Sequence, residues 1–264
     1  DSTNVADGVV SVVAPVGLDH TDMLGETLAE IATEKAGIIK PDGYLISAAQ
    51  DPEVATILLD TARKQNAKYA FEGVEFGVVE RDRAVGGQLL TLRGLAGEYP
   101  EIELPLHGEH QGQNASLALA AVEAFFGGDR ALARDVVLAG FAQVRSPGRL
   151  EMIRSEPLVV LDAAHNPHGV RAASTAFKEA FELSHVHAVV GILGEKDALG
   201  IFEVLREEYV DSTNATFRLY LSASDSSRAI APEELQEIAL DAGFDEDIIA
   251  VCDHLDEALA TAME

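Results

Sequence analysis

The sequence predicts an α/β protein made of two consecutive units, the second with a mainly parallel sheet. Three observations carry this reading. Residues 9–16, VVSVVAPV, form an apolar run rich in β-branched side chains. Such a run is typical of a strand buried on both faces, and here it ends in a polar turn that feeds a helical pattern. From residue 158 onward, short apolar runs alternate with helical patterns, as in βα units joined by crossovers. Between these regions stands Arg145-Ser146-Pro147-Gly148-Arg149, where Pro and Gly together punctuate the chain. The first unit is therefore read as 1–145 and the second as 146–264.

In the first unit, Thr27 is placed to cap a helix, with Glu30 three residues on as its reciprocal partner. Leu28, Ile31, Ala32 and Ile39 fall on one face of that helix, which packs inward. Lys35 stands four residues after Ile31 and four before Ile39, beside the apolar stripe. Residues 43–49 read as a second strand and 52–65 as a helix. Residues 68–71, 76–80, 88–93 and 102–106 read as short strands, with Gly86-Gly87 as a turn. Residues 111–126 are Ala-rich and helical, and Gly127-Gly128 ends them. Asp129 is placed to cap the next helix, which runs to Gln143. In the second unit strands are expected at 158–161, 188–193, 217–221 and 248–251. Helices are expected at 170–181, 201–209, 232–242 and 255–263.

Composition narrows the function classes. Nineteen Lys and Arg against 45 Asp and Glu give a formal net charge of −26. That charge repels nucleic acid and anionic membranes, so neither is expected as a partner. An anionic substrate would need local positive charge or a metal. Hydrophobic residues are 47% of the chain, enough for a sizeable core. Cys252 is the single cysteine. It allows no intramolecular disulfide and no Cys-based zinc site, and it fits a reducing cytoplasm. No apolar run reaches the roughly 18 residues of a membrane span. No signal-peptide pattern opens the chain. Nothing signals an oligomer, so a monomer is expected. The chain starts at Asp1 without a Met, which reads as part of a longer protein. No Walker loop, G-x-G-x-x-G fingerprint or G-x-S-x-G elbow occurs.

Six places could carry chemistry. His20 follows the first strand in GLDHTD, either as a metal ligand or acid/base group, or as a loop histidine among helix-capping carboxylates. Lys35 either snorkels its ammonium to water or is held inside as a desolvated amine able to form a carbamate. Asn114, in HQGQNA, is first-turn polar filler or an amide able to pair with adenine. Arg149 is an exposed arginine or a phosphate clamp between two α/β units. LDAAHNPHG, residues 161–169, is the sharpest signal: a strand ends in Asp162, and His165 and Asn166-Pro167 follow at a turn before a helix. An acid at that position often meets a ribose hydroxyl or a metal-bound water. GILGEKD, residues 191–197, repeats the design, with Lys196 either approaching a phosphate or belonging to a charged helix start.

Taken together, DSTNV, GLDHTDMLGETLAEIATEKAGIIKP, HGEHQGQNASLALAAVE, SPGRLE and LDAAHNPHG resemble, in this order, the folylpolyglutamate synthase/dihydrofolate synthase family, the folate branch of the Mur ligases. The resemblance implies the remainder of a Mur-type ATP-binding domain over 1–145 and a Rossmann-like glutamate ligase domain over 146–264. It implies an ATP- and Mg²⁺-dependent ligase that activates a folate or dihydropteroate carboxylate as an acyl phosphate and joins it to L-glutamate. By the same resemblance His20 matches a Mg²⁺ ligand, and Lys35 a carbamylated lysine at a second metal position. Asn114 matches an adenine contact, Arg149 a phosphate contact and Asp162 an acid on the ATP, with His165 beside it in the active site. Asp1 and Ser2 match the end of a pterin-side loop. The family's phosphate loop and two of its Mg²⁺ ligands do not occur in this chain, which is expected to be inactive alone and to hold metal weakly. Two alternatives stay open: an inactive nucleotide- or metabolite-binding module, and a Mur ligase acting on cell-wall precursors.

Overall fold

The computed structural model describes residues 2–17, 25 and 27–263. The chain divides into two compact units, Asp1–Arg145 and Ser146–Glu264.

The first unit begins with a single 3₁₀ turn over Ser2–Val5. It continues through β1 (Val10–Val13), α1 (Leu28–Ala36), β2 (Tyr44–Ser47), α2 (Pro52–Lys64) and β3 (Lys68–Phe71). The strands form a parallel sheet in the order β1-β2-β3, with Val10 opposite Tyr44 and Tyr44 opposite Lys68. Thr27 and Glu30 make the expected capping box at the start of α1. Asp51 caps α2, with Pro52 in its first turn. Ala32, Ala36, Val54, Leu58 and Ala62 of these helices bury one face of the sheet against Val13 and Leu45.

An antiparallel meander follows: β4 (Gly77–Ala84), β5 (Gly87–Arg93) and β6 (Glu98–Leu104). The helix α3 (Glu109–Phe125) lies between meander and parallel sheet. Its Leu117, Ala120 and Ala124 meet Ile46 and Ala70 of the sheet, while Ala115 and Leu119 meet Leu90, Leu92 and Ile102 of the meander. A helix clasped on two sides must be narrow, which is why it is rich in alanine. Gly127 and Gly128, both at positive φ, end it, and the Gly128 N–H returns to the Glu123 carbonyl. Glu123 is fully buried on this helix. Its carboxylate accepts from the N–H groups of Leu95 and Ala96 and from the Tyr99 hydroxyl at 2.6 Å. The Tyr99 oxygen in turn accepts the Leu132 N–H at 2.8 Å.

The second unit has an antiparallel pair, β7 (Glu151–Ser155) and β8 (Leu158–Leu161), then α5 (Pro167–Ala180), β9 (His185–Val190) and α6 (Ala198–Leu205). Here α4 is the helix Arg134–Ala142 that closes the first unit. After α6 come a wider π-type turn over Arg206–Asp211, β10 (Thr216–Leu221), α7 (Pro232–Asp241), β11 (Ile249–Val251) and α8 (Leu255–Ala262). The parallel sheet runs β11-β10-β9. Phe202, Leu219, Leu221, Leu235 and Ala239 fill one face, and Tyr220, Cys252 and Ala258 the other. Burial, with Glu257 and Asp253 nearby, pushes the Cys252 thiol up. Arg171 and Lys178 of α5 pair with Glu207 and Glu208, fixing the π-type turn.

Several expectations are corrected. The strand expected over 9–16 and buried on both faces spans only Val10–Val13, with Val9 and Val12 exposed. Among the described residues it stands at the end of the sheet and pairs with β2 alone. Asp129 caps no helix. Residues 131–133 run on without helical structure, and α4 starts after Ala133. The Tyr99 hydroxyl holds Leu132 in that stretch. The last meander strand starts four residues early, at Glu98, because an end strand tolerates Pro100. Residues 158–161 do not join the parallel sheet. They pair with Glu151–Ser155, a strand the sequence pattern missed, and Leu158 and Leu161 are exposed. The helix expected over 201–209 is α helix only to Leu205.

Candidate functional site

In the second unit the loop 146–150 and the turn 162–166 are laced together. The Ala163 N–H donates to the Gly148 carbonyl at 2.7 Å. Asp162 uses both carboxylate oxygens: one accepts the Leu150 N–H at 2.9 Å, the other the Ala164 N–H at 2.8 Å. Each N–H from Gly148 to Leu150 is occupied, since Gly148 donates to Glu151 Oε2 at 2.9 Å and Arg149 to the Ser146 carbonyl at 3.1 Å. Leu150 is buried and held at φ 46°, a left-handed conformation that costs a non-glycine residue about 1 kcal/mol. The result is a stiff loop from which the Arg149 side chain projects into solvent.

The turn after Asp162 is equally determined. Asn166 caps α5 by accepting the Gly169 N–H at 2.7 Å, and Pro167 opens the helix. His165 is exposed, and its Nδ1 donates to the Ala163 carbonyl at 3.2 Å. In the neutral ring that leaves the lone pair on Nε2. The neighbouring loop follows β9. Asp197 caps α6 through the Gly200 N–H at 2.9 Å. A Cβ on Gly200 would stand 2.8 Å from the Pro167 ring, so glycine lets the two helix starts lie side by side. Lys196 is half-buried in this loop. Arg149, Asp162 and His165 are thus brought together by backbone hydrogen bonds, with Lys196 on the adjoining loop.

In the first unit Lys35 lies in the last turn of α1, half-buried. Ser2 is exposed in the 3₁₀ turn. Asn114 is exposed on α3, and its amide donates to Gln111 Oε1 at 3.3 Å. Buried Gln88 shapes the approach to that helix, donating to the carbonyls of Leu106 and Gly108 at 2.9 and 3.0 Å. Burial pushes the imidazole of His107, in the same approach, below its usual range. Gln50 braces the chain leaving β1, accepting the Val16 N–H at 2.9 Å and donating to the Ala14 carbonyl at 3.0 Å. Asp1 and His20 lie outside the described residues. Among the described residues, no three His, Cys, Asp or Glu side chains gather to hold a metal ion. No helix among them is long and apolar enough to cross a membrane.

Sequence reasoning missed Leu150, Gln50 and Asn4. Each acts through contacts with segments remote in the chain, which no local pattern reports. Asn166 carried a visible signal, a cap residue followed by Pro.

Residues 148–264 match the model of the Mur ligase, glutamate ligase domain. The chain is 44% identical, over 99% of its length, to the dihydrofolate synthase/folylpolyglutamate synthase of Mycobacterium tuberculosis, covering 54% of that protein. It is 33% identical to the folylpolyglutamate synthase of Lacticaseibacillus casei, over 75% of this chain and 46% of that one. Among solved structures, Mycobacterium tuberculosis folylpolyglutamate synthase complexed with ADP and AMPPCP superposes with a TM-score of 0.90. Identity there is 43% over 99% of this chain and 58% of that one. Escherichia coli FolC in complex with DHPP and ADP gives a TM-score of 0.82 at 28% identity, over 100% of this chain and 57% of that one. The chain therefore spans about half the length of the curated relatives it matches.

Proposed function

The chain is a homologue of the dihydrofolate synthase/folylpolyglutamate synthases and carries the glutamate ligase domain of the Mur ligases; from that premise we propose that the protein bearing it is an ATP-dependent ligase adding L-glutamate to folates, and to dihydropteroate. The observation that carries the reading is a likeness running the whole length of the chain, to a relative whose structure was solved with ADP and AMPPCP. Residues 1–145 are then the C-terminal part of the ATP-binding domain, and 146–264 the glutamate ligase domain.

In the proposed reaction a carboxylate oxygen of the folate or pteroate attacks the γ-phosphorus of ATP. ADP leaves and an acyl phosphate forms. The glutamate amine loses a proton and attacks the acyl carbon, an amide bond forms and inorganic phosphate departs. Charge stays negative throughout, in a chain whose own balance is −26. Cationic groups must therefore stand at the reacting centre. Arg149, stiffly mounted and exposed, is assigned to the nucleotide phosphates. Asp162 is assigned to the nucleotide side of the same site. His165 is placed beside them, with proton transfer as the role its ring permits. Asn114 is assigned to adenine, and Asp1 and Ser2 to the pterin side.

Mg²⁺ enters the proposal through His20 and a carbamate on Lys35. Its chemistry would be charge neutralisation at the phosphates. Among the described residues no three His, Cys, Asp or Glu side chains gather to hold a cation, and no step above runs through one. The protein is further proposed to work as a monomer in the cytoplasm, without nucleic acid or membrane partners.

The test is incorporation of labelled L-glutamate by the protein expressed from its complete gene, with Mg-ATP and either tetrahydrofolate or dihydropteroate. The expected result is labelled folate with ADP released in equal amount, lost in Lys35→Ala. Incorporation only into UDP-linked peptides would make it a cell-wall ligase. Nucleotide binding without incorporation would make it a binding module.

A further inference from the structure

The geometry points to Asn4 as a positioning residue that joins the segment bearing Ser2 to the helix end bearing Lys35, an inference that rests on the ligase reading above. The turn Ser2–Val5 contains no buried residue, and Val5 is 90% exposed. Among the described residues a polar clasp holds it. Asn4 Nδ2 donates to the Glu34 carbonyl at 2.7 Å and to Glu34 Oε1 at 3.3 Å. That carbonyl belongs to the last turn of α1, where it also accepts the Gly37 N–H at 3.2 Å. Lys40 Nζ closes the clasp from the other side, donating to the Asn4 carbonyl at 2.6 Å and the Gly37 carbonyl at 3.2 Å. Its charge stands at the negative end of the helix dipole.

Two details set this apart from incidental packing. A Cβ on Gly37 would lie 2.6 Å from Asn4 Nδ2 and 3.0 Å from its Cγ, so the approach requires glycine. Among the described residues, the buried Asn4 Oδ1 has no hydrogen-bond partner. A residue chosen for stability alone would not leave a buried acceptor unsatisfied, and native structures keep few of them. The placement of Asn4 is thus over-determined around its Nδ2, which touches the residue next to Lys35. Through it the pterin-side segment and the Lys35 turn are held as one body, in register with each other. Asn4 touches no reacting atom in this scheme. It sets where Ser2 stands relative to Lys35.

The experiment uses the complete protein and three variants: Asn4→Ala, Gly37→Ala and the double variant. Asn4→Ala is expected to raise KM for the pterin substrate roughly tenfold and to lower kcat, as small misplacements of positioned groups do. KM for ATP should change less than KM for the pterin substrate, since Asn114 and Arg149 stand on other elements and only Lys35 links the clasp to the phosphates. Gly37→Ala should give the same split. The double variant should be no worse than Asn4→Ala, because removing the amide vacates the space the new methyl needs. Hydrogen exchange should quicken in Asn4→Ala at residues 3–6 and 37–39 together, and not in β2. A fall in thermal midpoint with both KM values unmoved would reduce the clasp to a structural one and overturn the inference. Additive effects in the double variant, or exchange quickening at one segment alone, would overturn it too. If the wild type fails to ligate glutamate, the ligase reading falls and this role with it. If the wild type ligates and Asn4→Ala is indistinguishable from it, only the positioning role falls.

Discussion

Replacing Asp162 by Asn separates two ways in which that residue could serve the nucleotide. Asp162 spends both oxygens on backbone N–H groups, of Leu150 at 2.9 Å and Ala164 at 2.8 Å. Asn keeps one acceptor and turns an amide N–H₂ toward the other donor. Hydrogen bonds to a charged group contribute about 1.5–3 kcal/mol, and the low end applies at this exposed site, so Asp162→Asn should cost roughly 1–2 kcal/mol of stability. The larger effect is local. Leu150 is held at φ 46° by its N–H, and about 1 kcal/mol of left-handed strain is then no longer opposed. Relaxation turns the peptide joining Arg149 to Leu150 and re-aims the guanidinium. If Arg149 meets a phosphate as proposed, losing that charge-assisted bond is worth about 1.5–3 kcal/mol, a rise in KM for ATP of roughly 10- to 100-fold. The assay is steady-state ligation by Asp162→Asn, Arg149→Ala and the double variant, with urea unfolding alongside. If Asp162 acts through Arg149, the double variant is no worse than Arg149→Ala. Strict additivity of the two effects on KM would refute the brace and return Asp162 to an independent nucleotide contact.

The remaining predictions concern groups whose surroundings are equally explicit. Glu123→Gln should destabilise the protein by about 3 kcal/mol in urea unfolding, because one buried acceptor is replaced by a donor facing N–H groups. The Tyr99 phenol is pushed up to about 12, first by burial and then by its bond to Glu123, from 10.0. A raised value contributes stability that is whole below pH 10 and is lost as pH rises through about 12. Tyr99→Phe should flatten that alkaline loss in unfolding curves. Burial holds His107 below its ordinary 6.5. Its contribution is present above that value and disappears as pH falls through the lowered one, so His107→Gln should make stability less sensitive to acid in the same measurement. Asn166→Ala removes the cap of α5 and should cost about 1 kcal/mol while leaving KM for ATP unchanged.

Legibility in the sequence followed how local each cause is. The start of α1 was readable because Thr27 and Glu30 satisfy each other within one turn. The end of α3 was readable because Gly127 and Gly128 adopt conformations that other residues avoid. The strand Glu151–Ser155 was not readable, since EMIRS has neither an apolar run nor an alternating one. Its partner 158–161 looked buried because Leu-Val-Val-Leu has the composition of a central strand. Which strand it joins is decided by pairing, a non-local matter. Glu123 was invisible for the same reason. A glutamate in an Ala-rich helix reads as solvent-facing, and the donors that make its burial tolerable lie 27 and 28 residues away.

The same reasoning sorts the motif that looked most chemical. LDAAHNPHG is dense in polar groups, and that density suggested a site with several reacting side chains. Much of it is architecture. Asp162 laces the loop 148–150 to the turn, Asn166 caps α5, and Gly169 supplies the N–H that receives the cap. Side chains that satisfy the backbone in this way hold the loop still, and stillness is what an exposed arginine needs to meet a phosphate at little entropic cost. The residues left to face outward from this framework are Arg149 and His165. Chemistry in the second unit is therefore expected to concentrate in those two, with the rest of the motif felt in stability or through them.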